Sequence, residues 1–304
     1  MKYLYYPGCS CSGKTTGRAY AESLIAVFQA LDVAYEELED WNCCGATMYM
    51  SVDEQQAFAM SVRNLALAER QGGNGDSPPT LTTPCAACYA VLNKTQHYID
   101  DYSQIGESIH SALAAASLSY TGRVQVRHPL DILVNDVGLE KIAGQVKRPL
   151  LGLRVACYYG CLLVRPYATF DDPYHPTTMD RLIRALGAEP VDWPLKTHCC
   201  GASLSGTIEE VGVRLSYILL SEARRRGANV VATACPFCQF NLECFQHQMI
   251  RDHGLAGEVP VGYFTQLAGI ALGLPGRNLG LHRLTIPLPV SDKIGEQEEY
   301  ATAQ

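Results

Sequence analysis

Two adjacent cysteines followed by Gly-Ala occur twice in this chain, as NCCGAT at residues 42–47 and as HCCGAS at residues 198–203. Setting the two pairs in register aligns their surroundings, the signature of an internal repeat. FQALDVAYEELEDW leads into the first pair and IRALGAEPVDWPLKT into the second: an apolar helix end, a turn, an acidic segment and a tryptophan. Seven residues beyond each pair stands a hydroxyl, followed three positions later by glutamate. Ser51 with Glu54 and Thr207 with Glu210 thus predict capping boxes at helix starts. Helix-spaced apolar residues follow, Phe58, Val62 and Leu65 in one copy and Val211, Leu215, Ile218 and Leu219 in the other. Each run closes near a glycine, Gly72 and Gly227. The strand-like TLTT and NVVATA then lead into CxxC, Cys85 with Cys88 and Cys235 with Cys238, each expected to open a polar helix. Upstream, YYPGC ends at Cys9 and YYGC at Cys161. Leu24, Val27, Phe28 and Leu31 mark an amphipathic helix after the first, and MDRLIRALG from Met179 a helix after the second.

Each half therefore carries C…CC…CxxC on alternating strands and helices. That order predicts an α/β fold of two pseudo-symmetric repeats with mostly parallel sheets, facing one another about a pseudo-twofold. The expected domains are residues 1–145 and 146–304, joined near KIAGQVKRPLLG at residues 141–152. Residues 117–135 are expected to add a strand and helix to the first half, and GGNGDSPP at residues 72–79 a surface loop.

Composition narrows the chemistry. Hydrophobic residues make up 47% and charged residues 18%, as a packed protein requires. A net charge of −7 without a Lys/Arg cluster excludes a nucleic-acid footprint, and RRR at residues 224–226 fits a helix end. The start, MKYLYYPGCS, has a strand-like run where a signal peptide has a long apolar segment. The 13 cysteines are odd in number, which favours a reducing, cytoplasmic setting with thiols in metal or redox chemistry over a disulfide scaffold. One uncharged stretch, residues 259–276, touches the length of a membrane span. Pro260, Thr265, Gln266, Pro275 and four glycines point instead to a short strand and then a helix near residues 265–274. That helix packs in the core or rests on a membrane or partner.

Five thiols per half, Cys9, Cys43, Cys44, Cys85 and Cys88, then Cys161, Cys199, Cys200, Cys235 and Cys238, exceed the four that a structural zinc or an ordinary iron–sulfur cube takes. Neighbouring Cα atoms lie about 3.8 Å apart, so paired thiolates suit two metal atoms of one cluster better than one small ion. The glycine after each pair permits a left-handed turn or close approach to a cluster. A helix start after each CxxC favours thiolate charge, and thiolates select soft metals. Buried core cysteines and zinc are the alternatives; ten thiols in two matched sets favour iron–sulfur clusters. Cys11 and Cys244 have no partner in the other half and are expected to be small core residues.

The spacers, 33 and 40 residues in the first half and 37 and 34 in the second, together with ACYYGCLLVRP, HCCGAS and YFTQLAGIALGL…LGLHR, resemble the twin CCG-domain proteins, above all the B subunits of heterodisulfide reductases. The resemblance spans essentially the whole chain. It implies two noncubane [4Fe-4S] clusters, each held by five cysteines, and a pocket between the halves where a disulfide is split and each sulfur caught at one cluster. The register with Cys9 favours Cys161 as the entry ligand of the second half, with Cys157 the alternative. Methanogen members of the family are expected to carry histidine beside that cysteine; here the neighbours are Tyr158 and Leu162, which leaves the identity of the disulfide open. The proton donor is then sought in a tyrosine, Tyr158, in a solvent molecule, or in another residue such as His198, whose alternative role is structural; His128, His247 and His282 are expected to be structural. The chain has neither GxGxxG after a strand nor a CxxCxxC run. The electron feed is therefore expected from other subunits, and the resemblance implies a flavoprotein subunit and a ferredoxin-like iron–sulfur subunit. Similar twin-CCG chains accompany some succinate dehydrogenases and fumarate reductases, which implies a second role: an anchoring, quinone-serving subunit peripheral to a membrane. A sulfur-oxidation complex is a third, related role.

Overall fold

The computed structural model describes residues 2–46, 48–73, 77–167 and 170–289. In its first half β1 (Lys2–Tyr5) leads into α1 (Gly8–Cys11) and α2 (Arg18–Ala30), and then β2 (Ala34–Glu37). Next come α3 (Met48–Val52), α4 (Glu54–Gly72), β3 (Thr80–Thr82), α5 (Ala86–Asp101), α6 (Ser103–Ala115) and β4 (Gln125–Arg127). The half closes with α7 (Pro129–Asp131), a π-helical stretch over Ile132–Gly138, and α8 (Leu139–Gly144). The second half runs β5 (Arg154–Tyr158), α9 (Thr178–Ala185), β6 (Glu189–Pro190), a 3₁₀ turn over Ala202–Gly206, and α10 (Glu209–Arg225). It ends with β7 (Val230–Thr233), α11 (Pro236–Cys244), α12 (Gln246–His253), β8 (Val261–Tyr263) and α13 (Phe264–Ala271).

Both four-stranded sheets are parallel throughout and share one order, β2-β1-β3-β4 and β6-β5-β7-β8. The expected α/β repeat is thus present. The central strands are short apolar runs because helices cover both faces; TLT and VVAT are buried at every residue. The acidic segments before each cysteine pair are the edge strands β2 and β6, where charge blunts an exposed edge.

Local details depart from the sequence patterns. The N-cap of α4 is Asp53, whose carboxylate accepts from the Gln56 N–H at 3.1 Å, rather than Ser51. At α10 no side chain caps the helix, and Thr207 donates back to the Ser203 carbonyl at 3.3 Å. Phe58, Val62 and Leu65 are buried as expected, but α10 turns Gly212, Val213, Ser216, Leu219 and Leu220 inward. Val211 and Ile218 stay 43% and 42% exposed. The cause is close approach: a Cβ on Gly201 would lie 2.8 Å from the Gly212 Cα, so α10 meets the CCG turn only along its glycine face. The left-handed turn that ends α4 is at Gly73, one residue beyond Gly72. The helices after CxxC are not polar where they start; α5 buries every residue from Ala86 to Asn93.

The halves interlock reciprocally. Helix α2 of the first half packs on α13 of the second, and α9 of the second packs on α7 and α8 of the first. Tyr20 stacks on Tyr263 with ring centroids 4.3 Å apart, a contact worth roughly 0.5–1.5 kcal/mol beyond area burial. Ser23 and Thr265 share a buried hydroxyl–hydroxyl hydrogen bond of 2.7 Å. All eight residues of α13 are buried, so this helix is core and does not rest on a membrane. Among the described residues no helix is long and apolar enough to cross one.

Candidate functional site

In a sheet of this order the chain leaves β1 to one side for β2 and returns on the other for β3. A crevice opens at the C-terminal ends of β1 and β3. The thiols stand there. Cys9 lies on α1 beyond β1, Cys43 and Cys44 follow β2, and Cys85 and Cys88 open α5 after β3. Cys161, then Cys199 and Cys200, then Cys235 and Cys238 repeat the arrangement beyond β5, β6 and β7. The sulfurs of Cys9 and Cys43 are 3.8 Å apart, those of Cys44 and Cys88 3.2 Å, and those of Cys200 and Cys238 3.4 Å. The Cys199 thiol pushes that of Cys161 well above the ordinary range, as a close neighbour does.

Matched glycines make room for the sulfurs. Gly8 and Gly160 both have left-handed backbone, φ +64° and +69°. A Cβ on Gly8 would lie 3.0 Å from the Cys88 sulfur, and one on Gly160 3.2 Å from that of Cys238. The glycines after the cysteine pairs are left-handed too, but their close neighbours are helices: Ala57 of α4 for Gly45 and Gly212 of α10 for Gly201. Gly160→Ala is expected to destabilise the fold by about 1–2 kcal/mol through the left-handed backbone alone and to displace Cys238. Thiol titration of the unfolded and native chains, followed by metal loading, checks whether the second set alone is disturbed.

A second matched pair holds the cysteine turns. The Tyr6 hydroxyl donates to the Asn42 carbonyl at 2.8 Å, and the Tyr158 hydroxyl donates to the His198 carbonyl at 2.7 Å. The sequence pattern points to Tyr158 as a proton donor and gives Tyr6 no role, although YYPGC set against YYGC aligns the two. Both are buried, and burial among thiols pushes both hydroxyls well above the ordinary tyrosine range. A hydroxyl so placed is a poor acid and a good anchor. His198 is exposed, next to Cys199, with its ring free of the restraints that tie Asn42. The Asn42 amide donates to the Cys43 and Met60 carbonyls, at 2.7 and 2.9 Å.

Cys157 and Cys161 occupy different places. Cys157 lies inside β5, fully buried, opposite Ala232 of β7. Cys161 lines a small cavity of about 20 Å³ together with Cys199, Cys200, Cys235 and Cys238, closed on the first-half side by Ala86 and Ala87. A wider groove of about 390 Å³ adjoins it through Ala202 and Phe237. Ser10 and Thr16 of the first half line one side of that groove, and Ser203, Ser205, Phe237 and Phe240 the other. Outside the two sets, Cys11 is buried as expected, but Cys244 is exposed at the end of α11 rather than in the core. His247 and His282 are exposed, and His128 is buried between the halves.

A family model described as a cysteine-rich domain, CCG, matches residues 3–93 and 155–243, one copy on each sheet. The chain belongs to the CCG family. This CCG protein is 32% identical over 287 residues to the 8-methylmenaquinol:fumarate reductase membrane anchor subunit of Wolinella succinogenes, covering 94% of this chain and 97% of that protein. It is 30% identical over 291 residues to the B subunit of the Ferredoxin/F(420)H(2)-dependent CoB-CoM heterodisulfide reductase of Methanosarcina acetivorans, covering 94% of each. A crystal structure of a hypothetical protein from Helicobacter pylori shares the fold, with a TM-score of 0.73 at 13% identity. The match covers 94% of this chain and 52% of that one.

The donor set of this CCG protein fits a multinuclear, thiophilic centre. Among the described residues, no three His, Cys, Asp or Glu side chains converge as a single ion requires; the sulfurs sit in spaced pairs. Hydrogen bonds with Cys44 and Cys9, and from the Gly45 N–H, hold Cys43 down at about 2, while its partner Cys44 is pushed up to about 12. Cys199 is likewise held at about 2, by Cys161, then Cys200 and the Gly201 N–H, while Cys200 is pushed up to about 12. Sharing protons in this way leaves Cys43 as the ready thiolate of the first set, and Cys199 with Cys235, which is also held well below the ordinary thiol range by Cys238 and Cys85, as those of the second. Five thiolates so close repel one another, so full ionisation calls for bound positive charge. The N–H groups of Gly201 and Ala202 already point at the sulfurs of Cys199 and Cys200, at 3.3 and 3.4 Å.

Proposed function

We propose that this chain is the iron–sulfur redox subunit of a multi-subunit oxidoreductase. On this reading it holds two noncubane [4Fe-4S] clusters, one per five-thiol set, and cleaves or forms a disulfide in the groove between the halves. The observation that carries the reading is the duplicated set itself: ten thiols at the ends of β1, β2, β3 and of β5, β6, β7, in the same order. Cys9, Cys43, Cys44, Cys85 and Cys88 would hold one cluster, and Cys161, Cys199, Cys200, Cys235 and Cys238 the other; the cavity lining favours Cys161 over Cys157. When bound, such clusters supply one-electron redox chemistry and iron with affinity for sulfur. Gly8 and Gly160 admit the thiolates, Tyr6 and Tyr158 fix the turns that carry the pairs, and Phe237 and Phe240 give the groove an apolar wall. Reducing one disulfide to two thiols consumes two electrons and two protons. The His198 ring, exposed beside Cys199, is the proposed proton source. The electrons come from partner subunits, a ferredoxin-like iron–sulfur protein and a flavoprotein.

One observation favours a second reading, transfer of electrons to or from a quinone. The ten residues that line the groove include two phenylalanines and no charged side chain. That lining suits a neutral ring or an uncharged disulfide better than an anionic one. Iron and sulfide analysis of anaerobically purified protein tests the clusters: fewer than about four iron atoms per chain, or stoichiometric zinc, would sink the two-cluster reading. Reoxidation of a reduced viologen by uncharged disulfides against a soluble quinone then separates the two substrates.

A further inference from the structure

His128 follows β4 and is fully buried at the junction of the halves. Its Nδ1 accepts the Leu130 N–H at 3.1 Å, so the proton of the neutral ring sits on Nε2. That nitrogen lies 3.1 Å from the carbonyl oxygen of Pro84 and 3.2 Å from that of Ala234. These two residues immediately precede Cys85 and Cys235, the first thiols of the two CxxC turns. One N–H is therefore shared by two carbonyls, one from each half, at matching positions of the repeat. The two thiols that follow face each other across the junction closely enough to bias each other's ionisation. Two buried carbonyls that converge without a donor repel each other and lose their solvation. His128 removes that obstacle.

The other half has no such donor. Thr82 pairs with Arg127 in the first sheet and Thr233 with Tyr263 in the second, so the residue matching His128 is Phe264. The two rings meet, with centroids 6.1 Å apart. The contact between the CxxC turns is thus fastened from one side only.

We propose that His128 is a positioning residue that sets the separation of the two CxxC turns, and through them the separation of the two cluster sites. The second part rests on the proposed role of Cys85 and Cys235 as cluster ligands.

Three variants test it. His128→Phe installs the ring that the matching position already carries, His128→Asn keeps an amide too short to reach both carbonyls, and His128→Gln keeps a donor near the Nε2 position. Amide hydrogen exchange is followed over residues 84–89 and 234–239, in chains with and without metal. The magnetic coupling between the two clusters is followed by electron paramagnetic resonance of the reduced, loaded protein. In His128→Phe and His128→Asn, exchange is expected to rise roughly tenfold in both segments together, and the coupling to change at unchanged iron content. His128→Gln is expected to restore both toward wild type. Exchange that rises in neither segment, or in only one, overturns the proposal, as does coupling identical to wild type in a loaded variant with loosened segments. If His128→Phe does not fold, the Asn and Gln variants decide. Wild-type protein with little iron would sink the cluster reading alone, and exchange in the metal-free chains would still decide whether His128 fastens the turns.

Discussion

Cys199→Ala is expected to empty the second site and leave the first: iron falls from roughly eight to roughly four atoms per chain, and one cluster spectrum persists. The reasoning starts from the sheets. Each five-thiol set grows from the strand ends of its own sheet, and Cys199 hydrogen-bonds within its set, to Cys161 and Cys200. Removing it takes away a ready thiolate of that set, and none of those contacts crosses to the first half. Cys235→Ala is expected to behave differently, because the Cys235 thiol interacts with Cys85 of the other set as well as with Cys238. It should empty the second site and also alter the spectrum of the first. Loss of all iron in Cys199→Ala, or iron unchanged, would show that the two sets do not act as separate sites.

The second large effect is on stability against pH. Burial pulls the His128 imidazole down to about 4 from the ordinary 6.5, against smaller opposing contributions from its carbonyl partners. The native state therefore prefers the neutral ring. Above pH 6.5 both states are neutral and the fold loses nothing. As pH falls from 6.5 toward 4 the unfolded chain binds a proton that the native chain refuses, and stability is lost; below about 4 both are charged and the loss levels off. The full difference is about 3 kcal/mol. Denaturant midpoints of the metal-free chain between pH 4 and 7 should fall accordingly, and His128→Gln should flatten that part of the profile. A wild-type profile as flat as that of the variant would contradict the buried, neutral histidine.

The architecture was legible because the repeat carries its own alignment: cysteines, strands and helices recur in register, and the sheets follow the same order twice. The edge strands were not legible. AYEE and EP are too polar and short to stand out, and they pair only because β1 and β5 lie beside them. The buried stripe of α10 departs from its apolar periodicity because a tertiary clearance between Gly201 and Gly212 sets the helix's orientation. Of the site, the ten thiols were visible as a pattern. The tyrosine anchors were half visible, since only comparison of YYPGC with YYGC reveals that Tyr6 and Tyr158 share a task. His128 was invisible as more than a structural histidine. It has no cysteine neighbour in sequence, and its two carbonyl partners come from segments 44 and 106 residues away.

The meeting of His128 with Phe264 bears on why two such halves are joined in one chain. Two identical subunits would have to present the same residue from both sides of their axis. Two histidines would crowd two ring donors onto one pair of carbonyls, and two phenylalanines would offer none. Covalent fusion releases the axis from that equality. Each half then drifts separately, and a single polar ring opposite a single apolar one becomes attainable at the point where the two halves must agree most closely.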